Sequence, residues 1–425
     1  MPYAILPTTY RWFVLVCMCV TIGVQSGVRI AFGVFYVTLR ETFGWSAAST
    51  AGVFSIYMLV QAGCSPLVGW CLDRYGTRRL FPLAALFVGI SLALCSTIQT
   101  LTQFFLTYGV LLPIGQTALT AAPVSVVLAR WFPDMRGRAI ALADIGAALG
   151  LGLYPSFSHY LIATYGWRWA FIGLALSVVL LVTPLTCWLR PAPTEISRAP
   201  TADRSQNPAL ARTIGQMRGP WTLRQAVRSL PFWMLFGTLL FSNLSSQILN
   251  VHLMALLLSV GVLAGVAARA VGMVNLVSLG GRLAIGWLAD HLGRSQAYTM
   301  ALLCSMLGMA ILLRISSANA SWVVMLFVGV FGLSKGSGSI VIASKAADVF
   351  HGERLGKIYG LITMASGLGG ALGPWWAGWL VDRTGSYTPA IVASMIMASI
   401  AITCMWLVDG PQHVDITGDL GLHDR

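Results

Sequence analysis

"GWCLDRYGTRR" (residues 69–79) and "GWLADHLGRSQ" (residues 286–296) are two versions of one short polar loop in an otherwise apolar chain. Each closes one apolar run and opens the next. Two further pairs keep nearly the same spacing: "RWFPDMRGRAIAL" (130–142) with "DVFHGERLGKIYGL" (348–361), and "YGWRWAFIGLA" (165–175) with "TGSYTPAIVAS" (384–394). Three pairs at one offset of about 217–219 residues, set in the same order of apolar runs, mark an internal duplication. The chain is two halves of like design.

Between these landmarks the sequence is apolar enough to fill a membrane. Of its 425 residues 57% are hydrophobic and 10% charged, where a soluble domain carries about 25% charged residues. Apolar runs of about twenty residues recur along the chain. Twelve spans are expected, at about 12–38, 47–70, 80–98, 103–129, 137–162, 167–189, 232–256, 262–289, 296–314, 321–346, 356–381 and 388–408. The fold class is an all-α membrane protein: twelve transmembrane helices in two pseudo-symmetric six-helix bundles. The N-terminal bundle covers 1–190 and the C-terminal bundle 231–408, joined by a cytoplasmic linker at 191–230 and followed by a cytoplasmic tail at 409–425. "WTLRQAVRSL", at the end of the linker, has the pattern of a short amphipathic helix. Alternating ten-residue segments are absent, which excludes a β-barrel. The first apolar run, Arg11 to Leu39, is too long for the core of a cleaved leader and reads as span 1.

The net charge of +13 is distributed unevenly. About nineteen Lys and Arg fall on one set of loops; the other set carries Arg40, Arg168, Arg269, Arg314 and Arg383. The positive-inside rule makes the rich side cytoplasmic, placing both termini there in a bacterial-type inner (plasma) membrane. The charge is a topology signal, not a nucleic-acid footprint. The eight cysteines are scattered, with no CxxC and no Cys/His cluster, so neither a metal nor a cofactor is expected. No nucleophile–base constellation appears either, so the chain does not read as an enzyme.

The loop at 69–79, its copy and the twelve-span layout resemble the major facilitator superfamily across essentially the whole chain. That family's loop follows the pattern G-x-x-x-D-R-x-G-x-R-R, which Gly69, Asp73, Arg74, Gly76, Arg78 and Arg79 match. In the copy Gly286, Asp290, Gly293 and Arg294 match, while His291 stands in place of the first arginine. The resemblance implies two halves that rock about a midplane site, spans 5 and 8 packed across the halves, and a gating role for these loop residues.

Four ionisable residues other than His and Tyr fall well inside the expected spans: Arg29, Asp144, Arg282 and Lys335. An arginine at mid-helix costs roughly 2.5–3.5 kcal/mol even on lenient insertion scales, so each must face protein or a wet cavity. Arg29 lies roughly 15 Å from the end of its span at 1.5 Å per residue, in a stripe formed by Thr21, Gln25, Arg29, Phe32 and Tyr36. Asn275, Ser278 and Arg282 share a face of span 8. Asn243, Ser246 or Gln247, and Asn250 share one of span 7, which ends near His252. Lys335 sits among glycines in span 10, with Ser339 one turn on.

Three cations against one anion favour an anionic substrate, and a guanidinium matches a carboxylate in a two-bond fork. Phe32, Phe35, Tyr36 and Tyr57 supply rings for a small organic body. The candidate substrate-binding residues are Arg29, Arg282, Lys335, Asn275, Tyr57 and Asn243. Asp144, the one carboxylate well inside a span, is the proton-coupling candidate, paired with Arg282 in at least one state.

"SGVRIAFGVFYVTLRETFGWS" (26–46) and "SLGGRLAIGWLAD" (278–290) resemble bacterial members of the monocarboxylate porter and oxalate/formate antiporter branch. The resemblance implies that Arg29 falls on the substrate-binding lysine of the animal branch and Arg282 on the branch's substrate arginine. The branch's proton-coupling aspartate, four residues before that arginine, is Ser278 here. The expected function is secondary active transport of small monocarboxylates by alternating access. Proton symport through Asp144, uniport and anion/anion exchange stay open as driving modes, and a non-transporting membrane receptor is the weaker alternative. The expected partners are a small carboxylate, the lipid bilayer and, in symport, protons; the unit is a monomer.

Overall fold

The computed structural model describes residues 8–132, 135–189, 222–315, 320–335, 338–350 and 355–408. The first half consists of α1 (Thr8–Phe43), α2 (Ala47–Tyr75), α3 (Thr77–Cys95), α4 (Leu101–Trp131), α5 (Arg136–Tyr165) and α6 (Trp167–Cys187). The second consists of α7 (Leu230–Ser259), α8 (Ala264–Leu292), α9 (Arg294–Leu312), α10 (Ala320–Ser334), α11 (Gly338–Val349), α12 (Leu355–Thr384) and α13 (Thr388–Leu407). Among the described residues there is no strand.

Ten of these helices, α1 to α9 and α13, are long and apolar enough to cross a membrane. The expected span at 321–346 is divided between α10 and α11, and the one at 356–381 is the 30-residue α12. Helix α4 is irregular: a π-helical stretch at Phe105–Leu111 and a 3-10 turn at Thr117–Leu119 interrupt it. Most of the expected linker, 190–221, and the tail, 409–425, lie outside the described residues. The short helix expected at the linker's end is Leu223–Arg228, started by a capping box in which Thr222 and Gln225 satisfy each other's backbone N–H groups.

The duplication is written into the backbone. All six positive-φ glycines among the described residues fall into repeat pairs: Gly44 with Gly261, Gly76 with Gly293, and Gly166 with Gly385. Each ends one helix and starts the next in a conformation that a side chain rarely tolerates, so both halves turn at equivalent points.

Within the first half α1 packs on α5 and α6, and α3 on α6; within the second, α7 packs on α12 and α13, and α8 on α10. The halves meet through α2 against α12, α5 against α8, and α1 against α7. The α5–α8 contact is the one the family resemblance implied. It rests on small residues, as membrane helix contacts do where backbones approach closely: a Cβ at Gly272 would overlap the Gly152 carbonyl. At Gly378 of α12 a Cβ would lie 2.6 Å from the Ala47 carbonyl of α2, and at Gly33 of α1 it would lie 3.3 Å from the Asn250 and Val251 carbonyls of α7. These approaches lie toward the end where α1 finishes and α2 begins, termed the outer end below.

Candidate functional site

A cavity of about 390 Å3 lies between the halves. Its two walls differ. The first half contributes Arg29, Ile30, Phe32, Gly33, Phe54 and Leu151, a mostly apolar surface with one charge. The second contributes a polar stripe from α7, then Asn275, Ser278 and Arg282 from α8, Phe331 and Ser334 from α10, and Lys335 immediately after α10.

All three expected cations therefore reach one space, Arg29 from the first half and Arg282 and Lys335 from the second. The Lys335 ammonium donates to Asn275 Oδ1 at 3.2 Å and lies 5.9 Å from the Phe331 ring centroid. Asn275 is itself held by its Nδ2, which donates to the Val271 carbonyl at 2.8 Å. Ser278, where the resembling branch carries aspartate, turns its hydroxyl back to the Asn275 carbonyl at 2.6 Å. The Nε of Arg282 is buried and unbonded. No carboxylate among the described residues lines the cavity or reaches ion-pair distance of Arg29 or Arg282. The cavity thus carries positive charge that its walls do not neutralise.

Asn243 lines this space and donates through Nδ2 to the Leu239 carbonyl at 3.0 Å, leaving its Oδ1 available. Tyr57 does not line it, which corrects the expectation from sequence. Its hydroxyl donates to Gln116 Oε1 at 2.6 Å and accepts from Gln61 Nε2 at 3.1 Å, while Gln116 Nε2 donates to the Gln25 carbonyl at 3.0 Å. Tyr57 is fully buried, stacked behind Phe54, and braces α1, α2 and α4. Its choice from sequence rested on its being an aromatic ring, which does not tell the cavity wall from the layer behind it. Asp144 is also off the wall. Arg282 is the charge nearest in effect to its carboxyl, but the two form no ion pair in this conformation.

Above the cavity the outer end is closed in layers. Tyr36 of α1 meets the buried His252 of α7 edge-on at 5.0 Å, and His252 meets Tyr387 at 5.7 Å. His252 Nε2 pairs with the Pro374 carbonyl of α12 at 2.9 Å. Outermost, both carboxylate oxygens of Asp382 accept hydrogen bonds from the first N–H groups of α2, Ala47 and Ala48, each at 2.7 Å. A carboxylate on a helix N-terminus is favourable by hydrogen bonding and by the helix dipole, and this one spans the two halves. Sequence reading missed Asp382. The signal was present: Asp382, Arg383 and Gly385 repeat the D-R-x-G order of Asp73, Arg74 and Gly76.

At the opposite end, Arg74, Arg78 and Arg79 are exposed, with Arg74 lying over Trp70 and Tyr75. Arg294 pairs with Asp348 and the Ser344 carbonyl, tying α9 to α11 within one half. The side chains of Asp73 and Asp290 lie outside the described residues.

Comparison with known proteins adds the family. The family model described as the Major Facilitator Superfamily matches residues 13–374. Among curated proteins, the chain is 27% identical over 386 residues to monocarboxylate transporter 13 of Rattus norvegicus, covering 91% of this chain and 86% of that protein. It is 28% identical over 406 residues to monocarboxylate transporter 11 of Mus musculus, covering 94% and 87%. Among solved structures, a bacterial homologue of the human lysosomal transporter Spinster, inward-facing and unoccupied, superposes with a TM-score of 0.73 at 15% identity, over 94% of this chain and 97% of the other. A D-xylose–proton symporter superposes with a TM-score of 0.68 at 14% identity, over 94% and 97%.

Proposed function

This chain belongs to the major facilitator superfamily, and from that premise we propose that it carries small organic anions, monocarboxylates in the first instance, across a membrane by alternating access. The carrying observation is the charge of the cavity: Arg29, Arg282 and Lys335 converge from both halves, with no described acid on the wall. Buried cations without counter-charge are costly, several kcal/mol each, so the site calls for an anion whenever it closes. Arg29 and Arg282 act as the carboxylate clamp, with Lys335 and Asn275 assisting and Asn243 lining. Because one arginine belongs to each half, a bound carboxylate bridges the moving parts, which links occupancy to closure.

The twelve-span reading, with bundles 1–190 and 231–408 and both termini cytoplasmic in a bacterial inner membrane, fits this mode. With the outer end closed over the cavity, this conformation reads as inward-facing. Asp144 is the proton site of the symport version: it approaches Arg282 as the inner end closes, and the pair takes up or releases a proton with that movement. The loops around Asp73 and Asp290 latch the inner end in the opposite state.

Uptake into proteoliposomes of a labelled acid that stabilises the purified protein, driven by a pH gradient, tests both claims. Wild-type protein accumulates the acid, and Asp144→Asn still exchanges it but no longer accumulates it. Unchanged gradient coupling in Asp144→Asn removes the proton role. Uptake that depends on internal substrate and ignores pH assigns exchange instead.

A further inference from the structure

The second-half wall is more polar than a short alkyl carboxylate requires. From α7 alone, Ser242, Asn243, Ser246, Gln247 and Asn250 face the cavity, against Ile30, Phe32, Phe54 and Leu151 on the opposite wall. Much of their hydrogen-bonding capacity is unused. Ser242 and Ser246 donate to backbone carbonyls 3.3 Å away but keep acceptor lone pairs. Gln247 Oε1 accepts from Asn250, leaving the Gln247 amide N–H groups free, and Asn250 Oδ1 is buried with no partner. Unused acceptors from Ser242, Asn243, Ser246 and Asn250 run along this stripe, with the Gln247 amide as a donor among them. A hydroxyl both donates and accepts, whereas a methylene chain laid here would leave these groups desolvated and unpaired, at a cost.

We infer that the site takes polyhydroxylated organic anions, sugar acids by class, in preference to aliphatic acids of the same length. The inference rests on the organic-anion reading above and sharpens it. The carboxylate engages the arginine pair, successive hydroxyls run along the α7 stripe, and the carbon–hydrogen face lies against Ile30, Phe32 and Phe54. Discrimination follows from the polar wall: a site that hydrogen-bonds a substrate hydroxyl rejects the analogue lacking it far more strongly than an apolar pocket rejects an added one.

Binding of four six-carbon compounds to the purified full-length protein, by calorimetry or thermal shift, tests this: gluconate, hexanoate, adipate and sorbitol. Gluconate is expected to bind at least about tenfold more tightly than hexanoate. Gln247→Leu and, as a milder change, Ser246→Ala each weaken gluconate about 3–10-fold, the loss of one hydrogen bond, and leave hexanoate equal or tighter, since one desolvated polar group is gone. Hexanoate or adipate equalling gluconate, or variants that weaken hexanoate and gluconate alike, overturns the hydroxyl inference while the anion reading stands. Sorbitol binding as tightly as gluconate overturns both.

Discussion

Replacing Asp382 with alanine should open the outer end. The carboxylate accepts two 2.7 Å hydrogen bonds from Ala47 and Ala48 at the start of α2, contacts that exist only while the halves are closed there. A hydrogen bond to a charged group contributes about 1.5–3 kcal/mol when well shielded. Asp382 is exposed at the rim, where water can replace it on the freed N–H groups, so the pair together is worth about 1–2 kcal/mol. That loss falls on the closed state alone and shifts the closed-to-open ratio by about 5–30-fold. Spin labels at Glu41 and Ser386, exposed positions on opposite halves, report the separation by pulsed electron paramagnetic resonance in a background with the eight cysteines replaced. Asp382→Ala should add or enlarge a long-distance population, and Asp382→Asn, which keeps the shape and loses the charge, should do so to a smaller extent. Identical distance distributions in wild type and both variants would refute the latch.

Three further outcomes follow from the packing. Gly272→Ala puts a Cβ into the Gly152 carbonyl at the α5–α8 crossing, an overpacking of about 1–3 kcal/mol; it should lower the melting temperature and lengthen the same Glu41–Ser386 distance. Tyr57→Phe removes hydrogen bonds to Gln116 and Gln61. It should cost about 1–2 kcal/mol of stability in a thermal melt while leaving ligand affinity unchanged, because its hydroxyl is not on the wall. Arg294→Ala breaks a pair whose side chains are 35% and 53% exposed, so a melt should register less than about 1 kcal/mol.

Much of the architecture was legible because membrane spans and duplications leave local signals. Hydropathy placed the helices, and the 69–79 and 286–296 loops gave the offset that the paired glycines later display in the backbone. Arg29, Arg282 and Lys335 stood out for a physical reason: charge inside a span is too costly to be incidental. What stayed hidden was contact between distant segments. The Asp382 latch joins residues 335 positions apart, and periodicity along one helix does not reveal which helix it meets. Tyr57 shows the same limit at short range: an aromatic ring suits a binding wall, but this one lies a layer behind it. The polarity of α7 was visible as spacing, but only the cavity shows that this stripe faces a ligand-sized space and not a neighbouring helix.

In the proposed function Arg29 and Arg282 together hold the anion. A thermal-shift screen of the purified protein against small organic acids, repeated on Arg29→Gln and Arg282→Gln, tests it most directly. At least one acid should raise the melting temperature of the wild-type protein, and each substitution should weaken that acid by about 10–100-fold, the loss of a charge-assisted contact. A panel without a stabilising anion, or stabilisation that survives both substitutions undiminished, would contradict the claim.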